Sequence, residues 1–220
     1  MDSFQIQLQD MSFSYDNSKL ILRRINMIIK PEDFILIVGE NGAGKSTLLK
    51  IIAGVLKPRS GCVLVNGRPI HKDKEYFKKI GFVMQYAEDS FCCDTVFDEI
   101  SFASKNFKLD RIKERVENAA RLVGVDQSLF SKSPYELSSG EARKVAIASM
   151  LAHDPFLLIL DEPFVGLDKL GKESLRNILI NWKKQGKSTV IVSHQTKYVD
   201  GLANKVFKLE AGSFSQINPF

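Results

Sequence analysis

Residues 39–46 read Gly-Glu-Asn-Gly-Ala-Gly-Lys-Ser and fit the pattern G-x-x-x-x-G-K-[ST]. What flanks them constrains the fold. Phe34–Val38 before them is a short apolar run, and residues 46–53 after them set Leu48, Leu49, Ile51 and Ile52 on a helical face. A strand that turns through such a loop into a helix cradles phosphate. Gly42 and Gly44 permit a tight backbone whose N–H groups face phosphate oxygens. The helix beginning near Lys45 adds the positive end of its dipole. Lys45 offers an ammonium to β and γ phosphates, Ser46 a hydroxyl to Mg2+, and Thr47 a hydrogen bond to an α phosphate. Gly39, Glu40, Asn41 and Ala43 complete the nucleotide-binding loop. The bland alternative, a glycine-rich turn before a core helix, gives no reason for Gly-Lys-Ser, because the helix has its core face without them.

Further apolar runs at 81–84, 156–160, 189–192 and 205–209 alternate with helical patterns, which predicts a parallel α/β sheet. A second pattern overlaps it near the N-terminus. Phe4, Ile6 and Leu8, then Met11, Phe13 and Tyr15, alternate with polar residues, with a kink near Asp10. Runs at 20–22 and 25–29 read as further strands, and Asn66-Gly67 after the run 62–65 favours a tight hairpin. These predict an antiparallel β subdomain. Between about residues 94 and 152 only helices are expected; Ile112, Val116, Ala119, Ala120 and Val123 share one face. The expected fold is α/β: a parallel sheet core with an N-terminal antiparallel β subdomain and an inserted α-helical subdomain. No Pro/Gly/Ser-rich linker interrupts the 220 residues, so 1–220 reads as one composite domain.

The run 156–160 leads directly into Asp161-Glu162-Pro163. A buried parallel strand ending in carboxylates delivers them to the sheet edge where ligands bind. Asp161 suits Mg2+, and Glu162 is placed to polarise a water aimed at the γ-phosphate. Such residues are also common in solvated turns, and only their pairing with the phosphate loop favours the catalytic reading.

Composition excludes more than it assigns. Thirty-one Lys and Arg against 26 Asp and Glu leave a charge of +5 that is interspersed along the chain, a weak case for nucleic acid. The three cysteines, Cys62, Cys92 and Cys93, form no C-x-x-C pair, so neither a disulfide framework nor a zinc site is expected. No basic segment followed by an apolar run suggests a signal peptide, and apolar stretches of about five residues fall short of the roughly 20 a membrane helix needs.

Residues 137–141, Leu-Ser-Ser-Gly-Glu, open a helix 21 residues before Asp161, counted from Gly140. They resemble the L-S-G-G-Q signature of ATP-binding cassette ATPases, a P-loop NTPase family with a RecA-like core. Other cassette motifs follow in order: Tyr15 matches the aromatic that stacks on adenine, and Gln85 the glutamine at the hinge to the helical lobe. Gly166-Leu167-Asp168 matches the D-loop and His194 the switch histidine. The resemblance implies ATP and Mg2+ as ligands. It makes Glu162, His194, Gln85 and Lys45 catalytic, and sets Gln85 beside Ser46 and Asp161 at the metal. It implies a second cassette subunit whose ATP meets the signature residues Ser138, Ser139 and Gly140 of this chain, and it counts Asp168 of the D-loop among the nucleotide-binding residues. The segments 95–103, 133–137 and 143–148 resemble the ATPase subunits of energy-coupling-factor importers, which take up vitamins or transition-metal ions. The chain ends soon after Gly212, as in the shorter, biotin- or cobalt/nickel-type forms. The resemblance further implies integral membrane partners, including a substrate-binding component, and a peripheral location on the cytoplasmic membrane face. A conventional transporter cassette and a soluble, non-transport ABC ATPase stay open as alternatives.

Two departures from the signature, Ser139 for glycine and Glu141 for glutamine, lean towards a heterodimer rather than a homodimer. Ser138-x-x-Glu141 also fits a helix capping box. A groove beside residues 86–100 is expected to receive a membrane partner. Phe91, Val96, Phe97, Ile100 and Phe102 are dense in apolar surface for so short a segment; some must pack inside the helical lobe, and together with Gln85 they are also expected to shape the groove, with Phe91 as an exposed anchor.

Overall fold

The computed structural model describes residues 4–16, 19–86 and 91–218. Ten strands and five α-helices are described, the strands in two sheets. The larger sheet has the order β10-β9-β3-β8-β7-β6. Its parallel strands are β3 (Phe34–Val38), β6 (Ile80–Val83), β7 (Leu157–Asp161), β8 (Ser188–Val192) and β9 (Lys205–Glu210). β3, β6 and β7 are apolar almost throughout because both faces are covered, whereas β9 alternates and exposes Lys208 and Glu210. Side chains alternate between two cores: Leu36, Leu158, Leu160 and Ile191 join the core shared with the helical block. Ile35, Ile37, Ile159 and Val190 face the other, shared with α1 (Lys45–Ile52) and the antiparallel sheet.

That sheet has the order β2-β1-β4-β5. The expected kink falls inside β1 (Ile6–Phe13), where Asp10 has φ 43° and the register against β2 shifts between Leu8 and Met11. The two expected strands at 20–22 and 25–29 are one, β2 (Leu22–Ile29), which bends at Arg24 rather than breaking. Asn66 and Gly67, at φ 49° and 78°, make the two-residue turn from β4 (Ser60–Val65) to β5 (Arg68–Pro69). Pairs with both φ positive match the twist of the strands they join.

Between β6 and β7 the described residues hold helices α2 (Val96–Asn106), α3 (Ile112–Val123) and α4 (Ser139–Ala152) and no strand. Thr95 caps α2 by accepting from the N–H of Asp98. Val116, Ala119, Ala120 and Val123 form the buried face of α3. After β7 comes α5 (Lys169–Lys184), capped by Asp168. The chain then ends in β10 (Ser213–Ile217), antiparallel to β9 and not anticipated from the sequence.

The expectation for Phe91 is corrected. It is 7% exposed and belongs to the core with Val96 and Ile100. Its ring meets Tyr135 edge-on at 6.3 Å, and its carbonyl accepts from the Tyr135 hydroxyl. Of the five apolar residues expected at the groove, Phe102 is the one left largely exposed, at 46%. Residues 87–90 of that segment lie outside the described residues.

Candidate nucleotide site

The loop after β3 is shaped by glycines at two tight approaches. A Cβ on Gly39 would lie 2.2 Å from the Leu209 carbonyl oxygen, and one on Gly44, at φ 101°, would lie 2.8 Å from Ile21. A side chain on Gly39 would collide with the β9 backbone, and one on Gly44 would crowd Ile21 and Leu22 from a left-handed backbone. Lys45 turns its Nζ back to donate to the carbonyls of Gly39 and Glu40 at 2.7 and 2.8 Å. Burial lowers the pKa of its ammonium, against the opposing pull of Glu162 and Asp161.

A cleft of about 420 Å³ brings together Tyr15, Asn41, Gly42, Gly44, Lys45, Ser46, Thr47, Gln85, Asp161, Glu162 and His194. These residues come from separate parts of the chain and meet at the C-terminal ends of β3, β6, β7 and β8, where open α/β sheets bind ligands. Tyr15 lies beyond β1, 61% exposed, with its hydroxyl 3.1 Å from the Thr47 hydroxyl. It flanks the loop rather than filling the core.

Asp161 ends β7, buried, with the Ser46 hydroxyl beside its carboxylate. Burial raises its pKa, while Ser46 and Lys45 counter that rise. Glu162 is also buried and sits in the left-handed region, at φ 46°. Such a conformation is uncommon for a residue with a Cβ. Here it lets the backbone N–H reach the Val192 carbonyl while the side chain enters the cleft. The backbone N–H of His194 donates to both carboxylate oxygens, at 3.1 and 3.2 Å. The His194 Nε2 lies 3.2 Å from Asn41 Oδ1, so the imidazole spans the phosphate loop and the β8 end. Burial pushes the Glu162 carboxyl above its usual range; the His194 N–H and the nearby Lys45 limit the shift.

Sequence comparison assigns the family. The family model described as ABC transporter matches residues 22–165. The energy-coupling factor transporter ATP-binding protein EcfA2 of Thermotoga maritima is 43% identical over 196 residues, 88% of this chain and 73% of that one. EcfA2 of Caldanaerobacter subterraneus subsp. tengcongensis is 38% identical, over 96% of this chain and 78% of its own. The chain belongs to the ABC transporter family, as an ATPase subunit of the energy-coupling factor type.

Among solved structures, CbiO1 from Clostridium perfringens, described as part of the ABC transporter complex CbiONQ, matches at TM-score 0.80 and 33% identity. The match covers 99% of this chain and 89% of that one. A bacterial ABC transporter cassette solved as a dimer, at 24% identity and TM-score 0.86, shares the fold.

The remaining residues expected at the site do not line the cleft. Glu40 and Ala43 line a neighbouring depression beside Lys208 and Glu210. Ser138 and Ser139 are exposed at the start of α4, and the capping box is formed. The Ser138 N–H donates to the Glu141 carboxylate at 2.9 Å, its hydroxyl lies 2.6 Å from the same oxygen, and the Glu141 N–H returns to that hydroxyl. Those bonds hold the Glu141 carboxyl below its usual range. Asp168 accepts from the Gly171 N–H at 2.8 Å as the cap of α5. None of Ser138, Ser139, Gly140 and Asp168 lines the cleft.

Sequence reasoning missed Arg143. It is 5% exposed, and its guanidinium donates to the carbonyls of Met84, at 2.6 Å, and Gln85. One side chain of the signature helix thus grips the strand end that carries Gln85. The sequence shows Arg143 two residues past the signature, but its acceptors lie 58 and 59 residues upstream.

Proposed function

We propose that this cassette binds MgATP in the cleft, hydrolyses it with Glu162 as the base, and couples the cycle to integral membrane subunits of an importer. The observation that carries the reading is the Glu162 carboxylate, buried beside Lys45 and Asp161 and oriented by the His194 N–H. Lys45, free to exchange its carbonyl partners for phosphate oxygens, holds the β and γ phosphates. Tyr15 offers a ring for the adenine at the mouth of the loop. Glu162 takes the proton of the attacking water, and its raised pKa brings it closer to that task near neutral pH. His194 fixes the carboxylate and reaches towards the loop through Asn41.

A Mg2+ ion suits the donor set. The Ser46 hydroxyl against a buried Asp161 carboxylate supplies the hard oxygen ligands this ion prefers. Gln85 lines the same cleft. When bound, Mg2+ neutralises charge developing on the transferred phosphate.

Because Ser138, Ser139, Gly140 and Asp168 lie outside their own chain's cleft, they serve the ATP of a second ABC ATPase subunit. The Ser139 and Glu141 departures favour a different cassette as that partner. The capping box weighs the other way, since it ties the Glu141 carboxylate to Ser138. The cargo class is a vitamin or a transition-metal ion, bound by another polypeptide, and the chain acts on the cytoplasmic membrane face. No helix among the described residues is long and apolar enough to cross a membrane. A conventional transporter cassette would differ in the membrane subunits that co-purify.

Lys45→Ala tests the binding step, with a fluorescent ATP analogue titrated at matched salt. Affinity should fall at least about tenfold, because the side-chain ammonium that holds the β/γ phosphates is gone. Equal affinities would remove Lys45 from the site.

A further inference from the structure

Cys92 and Cys93 lie between the Gln85 strand end and α2, and their thiols have no part in nucleotide chemistry. Glu99, one turn into α2, is 6% exposed. Its Oε2 accepts the backbone N–H groups of Cys92 and Cys93 at 3.0 and 3.1 Å. That grip folds the Cys pair back over the carboxylate. The two Sγ atoms are 4.0 Å apart, and all three ligand atoms lie within 4.8 Å of one another. Among the described residues no other three His, Cys, Asp or Glu side chains converge this way.

We propose that Cys92, Cys93 and Glu99 form a site for one thiophilic divalent cation of the zinc or cadmium class, held by two thiolates and one carboxylate. Two thiolates about 2.3 Å from a tetrahedral zinc stand about 3.8 Å apart, so the 4.0 Å between these sulfurs needs little adjustment. Thiolate ligands select such ions over Mg2+ or Ca2+, which take oxygen. The two N–H bonds to Glu99 orient the carboxylate as an outer shell does around a metal. Cys92 is exposed, which gives the ion a way in and leaves a fourth position to water. Each thiol releases its proton to solvent as the cation binds, and no electrons move.

A disulfide is the weaker reading of the same pair. Adjacent Cα atoms are about 3.8 Å apart across a trans peptide, short of the roughly 4.4–6.8 Å that disulfides span. A bound cation would add to the Glu99 hydrogen bonds in tying residues 92–93 to α2, just downstream of Gln85. The spacing of the cysteines hid this site. A C-C pair matches no zinc pattern, and the third ligand comes from the next helix.

Titration of the metal-free full chain with Cd2+, followed by thiolate-to-metal charge-transfer absorption, tests the proposal. Zn2+ competition then reads the affinity for zinc. One equivalent should bind. Cys92→Ser, at an exposed position where folding is not at stake, should weaken binding at least about a hundredfold and halve the absorption per ion, as should Cys93→Ser. Glu99→Gln keeps an acceptor for both N–H groups; it should bind about tenfold more weakly, with the absorption per ion unchanged. Cys62→Ser, on β4, should change nothing. ATP-analogue affinity should stay unaltered in every variant, which separates this site from the nucleotide cleft. Absence of saturable binding at one equivalent would overturn the proposal. So would native affinity in Cys92→Ser and Cys93→Ser, loss of binding in Cys62→Ser, or a pair found only as a disulfide.

Discussion

Arg143 joins the signature helix to the strand end that delivers Gln85, and its loss should be costly. Changing Arg143 to Met keeps much of the aliphatic stem but removes both donors to the Met84 and Gln85 carbonyls. Hydrogen bonds from a charged donor contribute about 1.5–3 kcal/mol each, so two give roughly 3–6 kcal/mol. Both acceptor residues are half-buried, and water can partly replace the guanidinium. The net destabilisation is therefore about 2–4 kcal/mol. Trp182, the single tryptophan, packs in the same core as Ala142 and Val145 on α4, so its fluorescence reports this region. In urea the midpoint should drop by about 1–2 M at an unchanged slope. Arg143→Lys, which keeps the charge but cannot fork between two carbonyls, should fall between the two. A shift for Arg143→Met worth less than about 0.5 kcal/mol would show that the grip contributes nothing to stability.

Three further outcomes follow from the geometry. Tyr76 is fully buried and donates to the Ile52 carbonyl at the end of α1. Tyr76→Phe strands that oxygen and should cost about 1–3 kcal/mol in the same urea assay. His153 is buried with its Nε2 2.9 Å from the Ile80 carbonyl, and burial lowers its pKa, so the unfolded chain binds its proton first. Its contribution is complete above the unfolded value near 6.5 and is lost as pH falls towards the depressed folded value. Between pH 7.5 and 5.5, native stability should therefore fall more than that of His153→Gln, by at most about 1.4 kcal/mol per pH unit below 6.5. Restoring the signature with Ser139→Gly and Glu141→Gln, in a Glu162→Gln background, should strengthen ATP-dependent self-association in light scattering. An unchanged association constant would remove the case for a different partner cassette.

Two segments of the cleft were legible because each is contiguous in the sequence, whereas Tyr15, Gln85 and His194 stand apart and were placed only by the family resemblance. Eight residues spell the phosphate loop, and an apolar strand running into Asp161-Glu162 identifies a sheet edge without knowledge of the neighbours. The parallel strands β3, β6 and β7 were legible because burial on both faces makes them largely apolar, while β9 alternates, with Lys208 and Glu210 exposed. β10 was not legible, since Ser-Phe-Ser-Gln-Ile is half polar and lies at an edge. It is held by backbone pairing to β9 and by Phe214 stacked on Phe207 at 4.5 Å. Phe91 shows a different limit. Apolar density in residues 91–102 signals contact surface, but whether the contact is a partner or the chain's own core depends on Tyr135, more than 40 residues away. Arg143 and the Glu99 grip on the cysteines are likewise side-chain-to-backbone contacts, which leave no periodic trace in a sequence.

The chemical role of Glu162 is tested most directly by the nucleotide that stays on a Glu162→Gln variant. The amide keeps an acceptor for the His194 N–H but cannot take the proton of water. After incubation with MgATP and rapid removal of free nucleotide, the retained nucleotide should be ATP. It should be held by a dimer, with turnover slowed at least about a hundredfold. Retention of ADP at the native rate, with Glu162 the only carboxylate changed, would contradict the assignment of Glu162 as the base.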